Sequence, residues 1–268
     1  MNPPQLEGWE ITRSYMQWLT FGKKGLPVTS VTGDVSVMSR KYHMAFINNT
    51  ESRHLEGSMS DFRDSDAISF KIDLTQIPEE SMVIMTPFEK KAHYYFNQKI
   101  NCMKAEGEVT IGARTYTFRE GSFGTLDWGR GIWTYRNTWY WSSLSTQVNG
   151  EPFGFNLGYG FGDTSAASEN MLFYKGRAHK LEQVTFHIPE KDGKDDFMSP
   201  WTFTSSDGRV ELTFTPVLDR KSKTDVLIIC SDQHQVFGRF NGKCILDDGT
   251  VIELKDKLGF AEKVFNKW

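Results

Sequence analysis

Hydrophobic and polar residues alternate with a period of two wherever the pattern along this chain is clear. Ile68, Phe70, Ile72 and Leu74 alternate with Ser69, Lys71 and Asp73, and Phe153, Phe155, Leu157, Tyr159 and Phe161 alternate with glycines and Asn156. That spacing predicts strands with one buried face. Turn dipeptides separate them, at Asn149-Gly150, Lys175-Gly176, Asp207-Gly208 and Asp248-Gly249. Asn-Gly and Asp-Gly favour two-residue hairpins, so the chain is expected to be mostly an antiparallel meander. The best helical candidate is Leu258 to Phe265, where Leu258, Ala261, Val264 and Phe265 form one apolar stripe at helical spacing. A short C-terminal helix is expected there. The charged segment from Pro189 to Pro200 is expected to be a solvated loop.

One turn sets a register that can be written out. If Asn149-Gly150 is a two-residue turn, Val148 faces Glu151, and every later pair follows. Trp141 then falls opposite Gly158, Trp139 opposite Gly160, Ser143 opposite Asn156, and Asn137 opposite Gly162. On the other face Tyr140 meets Tyr159, Leu144 meets Phe155 and Thr146 meets Phe153, as packed core would. The first face gathers Trp133, Tyr135, Asn137, Trp139, Trp141, Ser143 and Asn156 with glycines. Two readings of it stand side by side. Each indole covers a strand glycine and the purpose is packing. Alternatively the row is a ligand wall, aromatic with Ser143 and Asn156 as its placed polar groups, the glycines allowing a ligand near the backbone.

Composition narrows the classes. With 268 residues the chain is one large domain or two small ones, and its formal charge of −3 gives no basic excess for binding nucleic acid. The longest apolar stretch, Val226 to Cys230, is far too short to span a bilayer, and MNPPQLEGWE lacks the pattern of a secretory leader. Three cysteines, Cys102, Cys230 and Cys244, have no metal-type spacing and fit a reducing compartment. A cytoplasmic protein is expected. Aromatic residues make up 14% of the chain, and four of the eight tryptophans fall between Trp128 and Trp141, which directs the search for function there.

Beside that cluster, Asp127 and Arg130 stand three apart in a glycine-rich segment. They either pair to fix a tight turn, or Asp127 is an acid whose proton the apolar wall helps to retain. Glu169 is a second candidate acid or base. His93, His179 and His234 lack partners at diagnostic metal spacing, and Asp61, Asp64 and Asp66 lack the glycine and closing glutamate of a calcium loop. No phosphate-binding or dinucleotide fingerprint is present; Gly158 to Gly162 lies in a predicted strand. No metal or cofactor is expected.

The chain resembles the domain of unknown function 2804 family, through the Asp127-Trp128-Gly129-Arg130-Gly131 core followed by Trp133, Tyr135, Trp139 and Trp141. Further matches are Phe155 to Gly158, Glu169-Asn170, Gly176 to Lys180, Leu212 to Pro216, Gln235 to Arg239, Leu258 to Glu262 and Trp268. That family is distantly similar to lipocalin-like two-barrel proteins, including carotenoid hydratases and some cyclases. The resemblance implies an all-β, lipocalin-like protein of antiparallel β-barrels in two packed halves, divided at about residue 130 into 1–130 and 131–268. It implies a site location more than a reaction. The expected function is binding of a small hydrophobic molecule, lipid- or isoprenoid-like, against Trp133, Trp139 and Trp141. Ser143 and Asn156 orient its polar end, with Trp128, Arg130 and Asn170 in the same contact set. The alternative is a cofactor-free hydratase, isomerase or cyclase in which Asp127 or Glu169 moves a proton while the aromatic wall stabilises a developing cation.

Overall fold

A computed structural model describes residues 26–267. Met1 to Glu10, read above for a leader, and Trp268 lie outside the described residues. Among the described residues every regular element is a strand, and the strands form curled antiparallel half-barrel sheets. The described chain divides into two compact units, a smaller one of residues 26–77 and 103–124 and a larger one of residues 78–102 and 125–267. Residue 130, where the sequence reading divides the chain, lies in the larger unit.

The smaller unit holds β1 (Val35–Met38), β2 (Tyr42–Asn48), β3 (Arg53–Arg63) and β4 (Asp66–Thr75), paired in that order. The alternation of Ile68 to Leu74 is β4, as predicted. In the larger unit, β5 (Met82–Pro87) pairs with the first half of β6 (Tyr94–Ile111). The second half of β6 belongs to the smaller unit, where β4 and β7 (Arg114–Thr117) pair with it. β8 (Phe123–Ile132) also pairs with β6.

The rest of the larger unit is built by β9 (Arg136–Val148), β10 (Glu151–Tyr159), β11 (Met171–Tyr174), β12 (Arg177–Lys180) and β13 (Val184–His187). A small hairpin of β14 (Glu190–Lys191) and β15 (Lys194–Asp195) follows, largely exposed, inside the segment expected to be a loop. Then come β16 (Trp201–Ser205), β17 (Val210–Val226), β18 (Ile229–Ile245) and β19 (Val251–Lys267). Nine of these strands form one sheet in the order β12-β11-β10-β9-β19-β18-β17-β16-β13.

The hairpin register holds from the turn to Tyr140 and Tyr159, where β10 ends; the expected pairs Trp139–Gly160 and Asn137–Gly162 lie beyond it, and Gly162 turns instead against Pro87. Asn149 and Gly150 take φ of 54° and 82°, the left-handed pair that a type I′ turn requires, and Val148 faces Glu151. Trp141 pairs with Gly158, Ser143 with Asn156, Leu144 with Phe155 and Tyr140 with Tyr159. The face carrying Leu144, Phe153, Phe155 and Leu157 joins Trp201, Phe203, Phe214 and Phe240 in the main core. Phe203, Phe214 and Phe240 pack ring against ring at centroid distances of 4.6 to 6.2 Å. At roughly 25 cal/mol per Å² this apolar burial is the main force holding the unit together.

The predicted C-terminal helix is instead the last part of β19. Its stripe of Leu258, Ala261, Val264 and Phe265 has helical spacing, but Leu258 and Phe265 are exposed while polar Glu262 and Asn266 are buried. Paired across to β9, Glu262 faces Trp141 and Asn266 faces Asn137. Two buried polar residues at alternate positions erase the period-two hydropathy signal. The remaining apolar positions then mimic a helix.

The other face of β9 and β10 is met by β6. Asn101, fully buried, sends its amide Nδ2 to Ser143 Oγ at 2.8 Å and to the Phe155 carbonyl at 3.1 Å, and the Cys102 amide donates to Ser145 Oγ at 3.0 Å. Burial pushes the thiols of Cys102 and Cys244 up to about 12, so neither is a thiolate near neutral pH. All three cysteines are free. Asn101 thus pegs one strand to two others. Asn101→Ala strands their acceptors and is expected to cost about 1–3 kcal/mol, read as a lowered urea midpoint with unchanged far-UV circular dichroism.

Candidate functional site

The strand period sends Tyr95, Asn97, Lys99 and Asn101 to one face of β6. Four polar side chains in a row on a buried strand need partners, because an unpaired buried polar group is costly. Each finds one in the larger unit. Lys99, only 5% exposed, sets its Nζ 3.1 Å from Glu169 Oε2 and 3.6 Å from the centroid of the Trp141 ring. Trp141 Nε1 donates to Asn156 Oδ1 at 2.7 Å, and Asn156 Nδ2 donates to Glu169 Oε2 at 3.0 Å. The four residues close a loop: ammonium on indole, indole to amide, amide to carboxylate, carboxylate to ammonium.

Gly158 makes the loop possible. A β-carbon there would lie 2.6 Å from Glu169 Oε1 and 3.1 Å from the Tyr140 carbonyl. The glycine opposite Trp141 therefore seats the Glu169 carboxylate, and the indole does not fill that space. Asn170 fixes the neighbouring backbone, accepting from the Gly158 amide at 2.7 Å and donating to the Glu182 carbonyl at 2.9 Å.

A second carboxyl comes from β19. Glu262 accepts from Trp139 Nε1 at 2.9 Å and from Gln235 Nε2 at 3.0 Å, and is 7% exposed. Burial holds its proton above the ordinary glutamate range, and the charge of Asp127 adds to this; the two donated hydrogen bonds and the Lys99 charge work the other way. Asp127, on β8, is exposed and accepts from Asn97 Nδ2 at 3.1 Å. Asn97 also bonds the Tyr95 hydroxyl. The Tyr95 phenol is raised above its usual value by burial first and by the Asp127 charge second.

These groups surround a cavity of about 240 Å³ whose wall includes Trp133, Trp139, Trp141 and Phe161. Phe161 is the hub, with ring centroids 4.8 Å from Tyr95, 5.2 Å from Trp139 and 6.0 Å from Trp133. Lys99, Asp127, Glu169 and Glu262 are its charged lining, and Tyr95, Tyr135, Asn137 and Asn266 complete it. Trp133 and Tyr135 are exposed and mark its open side.

Of the residues singled out in the sequence, Asp127, Glu169, Trp133, Trp139 and Trp141 line this one cavity. Asn156 and Ser143 stand behind the wall, Asn156 linking Trp141 to Glu169 and Ser143 accepting from Asn101. The Asp127 to Gly131 core is extended strand within β8, so no tight turn forms there. Trp128 and Arg130 point to the face of β8 opposite Asp127, where Trp128 packs edge-on against Phe96 at 6.0 Å. Sequence reasoning passed over Tyr95, Lys99 and Glu262. Tyr95-x-Asn97-x-Lys99-x-Asn101 was a legible signal, since polar residues at every second position of a strand otherwise rich in Phe96, Ile100 and Cys102 mark a polar face within the fold.

No curated protein sequence matches the chain. Among solved structures, a Nitrosomonas europaea protein provisionally named AttH aligns with a TM-score of 0.50 at 12% identity, over 86% of this chain and 68% of that one. Kievitone hydratase from Nectria haematococca aligns with a TM-score of 0.45 at 10% identity, over 84% of this chain and 83% of that one. The first likeness is one of fold, in keeping with the distant lipocalin-like relationship that the sequence implies. A family model matches residues 6–268, nearly the whole chain, and the protein therefore belongs to the family described as domain of unknown function DUF2804.

Proposed function

We propose that the larger unit binds a small, mainly hydrophobic molecule, lipid- or isoprenoid-like in its apolar part, in the cavity beside Trp133, Trp139, Trp141 and Phe161. The observation that carries this reading is that the inner polar groups beneath the tryptophans are held by partners of their own. Lys99, Glu169, Asn156 and the indole of Trp141 satisfy one another, so the aromatic wall stands open without collapsing onto an unpaired charge. A preformed apolar wall with few fixed polar groups is what a small-molecule site requires. The free thiols agree with a cytoplasmic setting.

A second reading, acid and base chemistry without a cofactor, is favoured by one feature, the raised proton affinity of Glu262. A carboxyl whose proton is held more tightly than usual beside an apolar wall can donate it to an alkene or carbonyl, while exposed Asp127 takes one up. Glu169, tied to Lys99 and Asn156, serves as fixed charge in that scheme. The tryptophan faces would stabilise positive charge developing between them. The products would be those of a hydratase, isomerase or cyclase.

Solvent extraction of natively purified protein, followed by mass spectrometry against an unrelated protein handled in parallel, is expected to show an enriched apolar molecule; no enrichment, together with no tryptophan response to added apolar ligands, rejects the binding reading. Trp139→Ala is expected to weaken binding of that molecule about tenfold or more, roughly 1.4 kcal/mol, in a fluorescence titration, with cooperative unfolding retained. Glu262 tests the second reading through pH. Because its folded carboxyl is harder to ionise than the unfolded one, its contribution to stability is complete below the ordinary glutamate range and is lost as pH rises through the raised value. Urea unfolding of Glu262→Gln should lack that decline and exceed wild type at neutral pH; an unchanged profile means the carboxyl ionises normally.

A further inference from the structure

The charges around the cavity do not balance. Among the described residues, even with Glu262 holding its proton, Asp127 and Glu169 are two carboxylates set against one base, Lys99. That base is already engaged, since its ammonium lies against Glu169 and on the Trp141 face. Among the described residues, Asp127 and Glu262 have only neutral hydrogen-bond partners, Asn97 for the first and Trp139 and Gln235 for the second. The wall facing these acids consists of aromatic rings, whose faces are themselves electron-rich.

Lys99 shows what this environment holds. It places a positively charged nitrogen between an indole face at 3.6 Å and a carboxylate at 3.1 Å, almost wholly out of water. Asp127, together with the rings of Trp133 and Phe161, offers the same two elements again in the same cavity, without a paired cation among the described residues. A carboxylate-bearing ligand would meet like charge there, and a neutral one would leave Asp127 without a counter-ion.

From this arrangement we infer that the ligand of the aromatic cavity is an organic cation, an ammonium group carried on an apolar body, with its nitrogen between Asp127 and the aromatic faces. The inference rests on the reading that the cavity holds a small molecule, and it specifies the charge of that molecule. Asp127 and Trp133 are exposed, so the nitrogen sits at the mouth of the cavity, where the carboxylate and the aromatic faces act together, and the apolar body reaches inward along Trp139 and Phe161.

The test keeps the apolar body constant and changes the head. The full-length protein is titrated at neutral pH with n-hexylammonium, 1-hexanol and hexanoate, following tryptophan fluorescence. The ammonium is expected to bind at least tenfold more tightly than the alcohol, and hexanoate more weakly than either. In Asp127→Asn the preference of ammonium over alcohol should fall at least fivefold. If hexanol matches or exceeds the ammonium, the cation inference is overturned while the cavity reading stands. If none of the three alters the tryptophans, both fall. A preference that survives Asp127→Asn in full puts the cation elsewhere and also overturns the inference. Should Asp127→Asn not fold, the comparison in the native protein still decides.

Discussion

Lys99 is a lysine ammonium taken almost completely out of water, and the architecture of the site follows from what that demands. An isolated charge in such a place is prohibitive, and a single carboxylate repays its desolvation only with good geometry and further hydrogen bonds. The protein supplies the carboxylate of Glu169, the face of Trp141 and, through Asn156, a link that holds both in place. These partners come from β6, β9, β10 and the segment before β11, so the loop forms only when all four are in register. The same loop keeps the tryptophan row upright. Trp141 is held on its edge by Asn156 and on its face by Lys99, leaving the cavity side of the wall to whatever enters.

The sheet separates two kinds of adhesion by face. On one side of β9 and β10, Leu144, Phe153, Phe155 and Leu157 join an aromatic core that is held by area. On the other side, Asn101, Ser143, Asn156 and Glu169 are held by direction, through hydrogen bonds that tolerate few alternatives. A nonspecific apolar core supplies stability. The directional layer determines where the indoles and carboxylates stand, and a binding site needs that second kind of order more than the first.

Legibility in the sequence follows the same division. The Asn149-Gly150 turn announces its own geometry, and from it the pairing of Trp141 with Gly158 and Leu144 with Phe155 could be counted off, because a two-residue turn leaves one register. The cluster around Asp127 and the tryptophans also showed by composition alone. What stayed hidden was polar and distant in sequence. Lys99 precedes its partner Glu169 by 70 residues, and no local pattern connects them. Glu262 and Asn266 were worse than hidden. By being buried they broke the alternation of β19 and left apolar residues that imitated a helix. The site itself disguised the strand that carries it.

The recess above Gly158 has a consequence for how this chain can vary. A side chain at position 158, even a methyl, occupies the space of the Glu169 carboxylate, so the two positions are interlocked although they stand eleven positions apart. Removing Glu169 frees position 158 to accept a side chain, but it leaves Lys99 buried without its counter-ion. Replacing Gly158 first expels the carboxylate. Either of these exchanges made alone disturbs the loop, so the glycine and the glutamate are expected to be inherited together, with the lysine as the carboxylate's counter-ion. In another chain of this fold, the residue at the place of Gly158 would by itself report whether a carboxylate stands beneath the tryptophans.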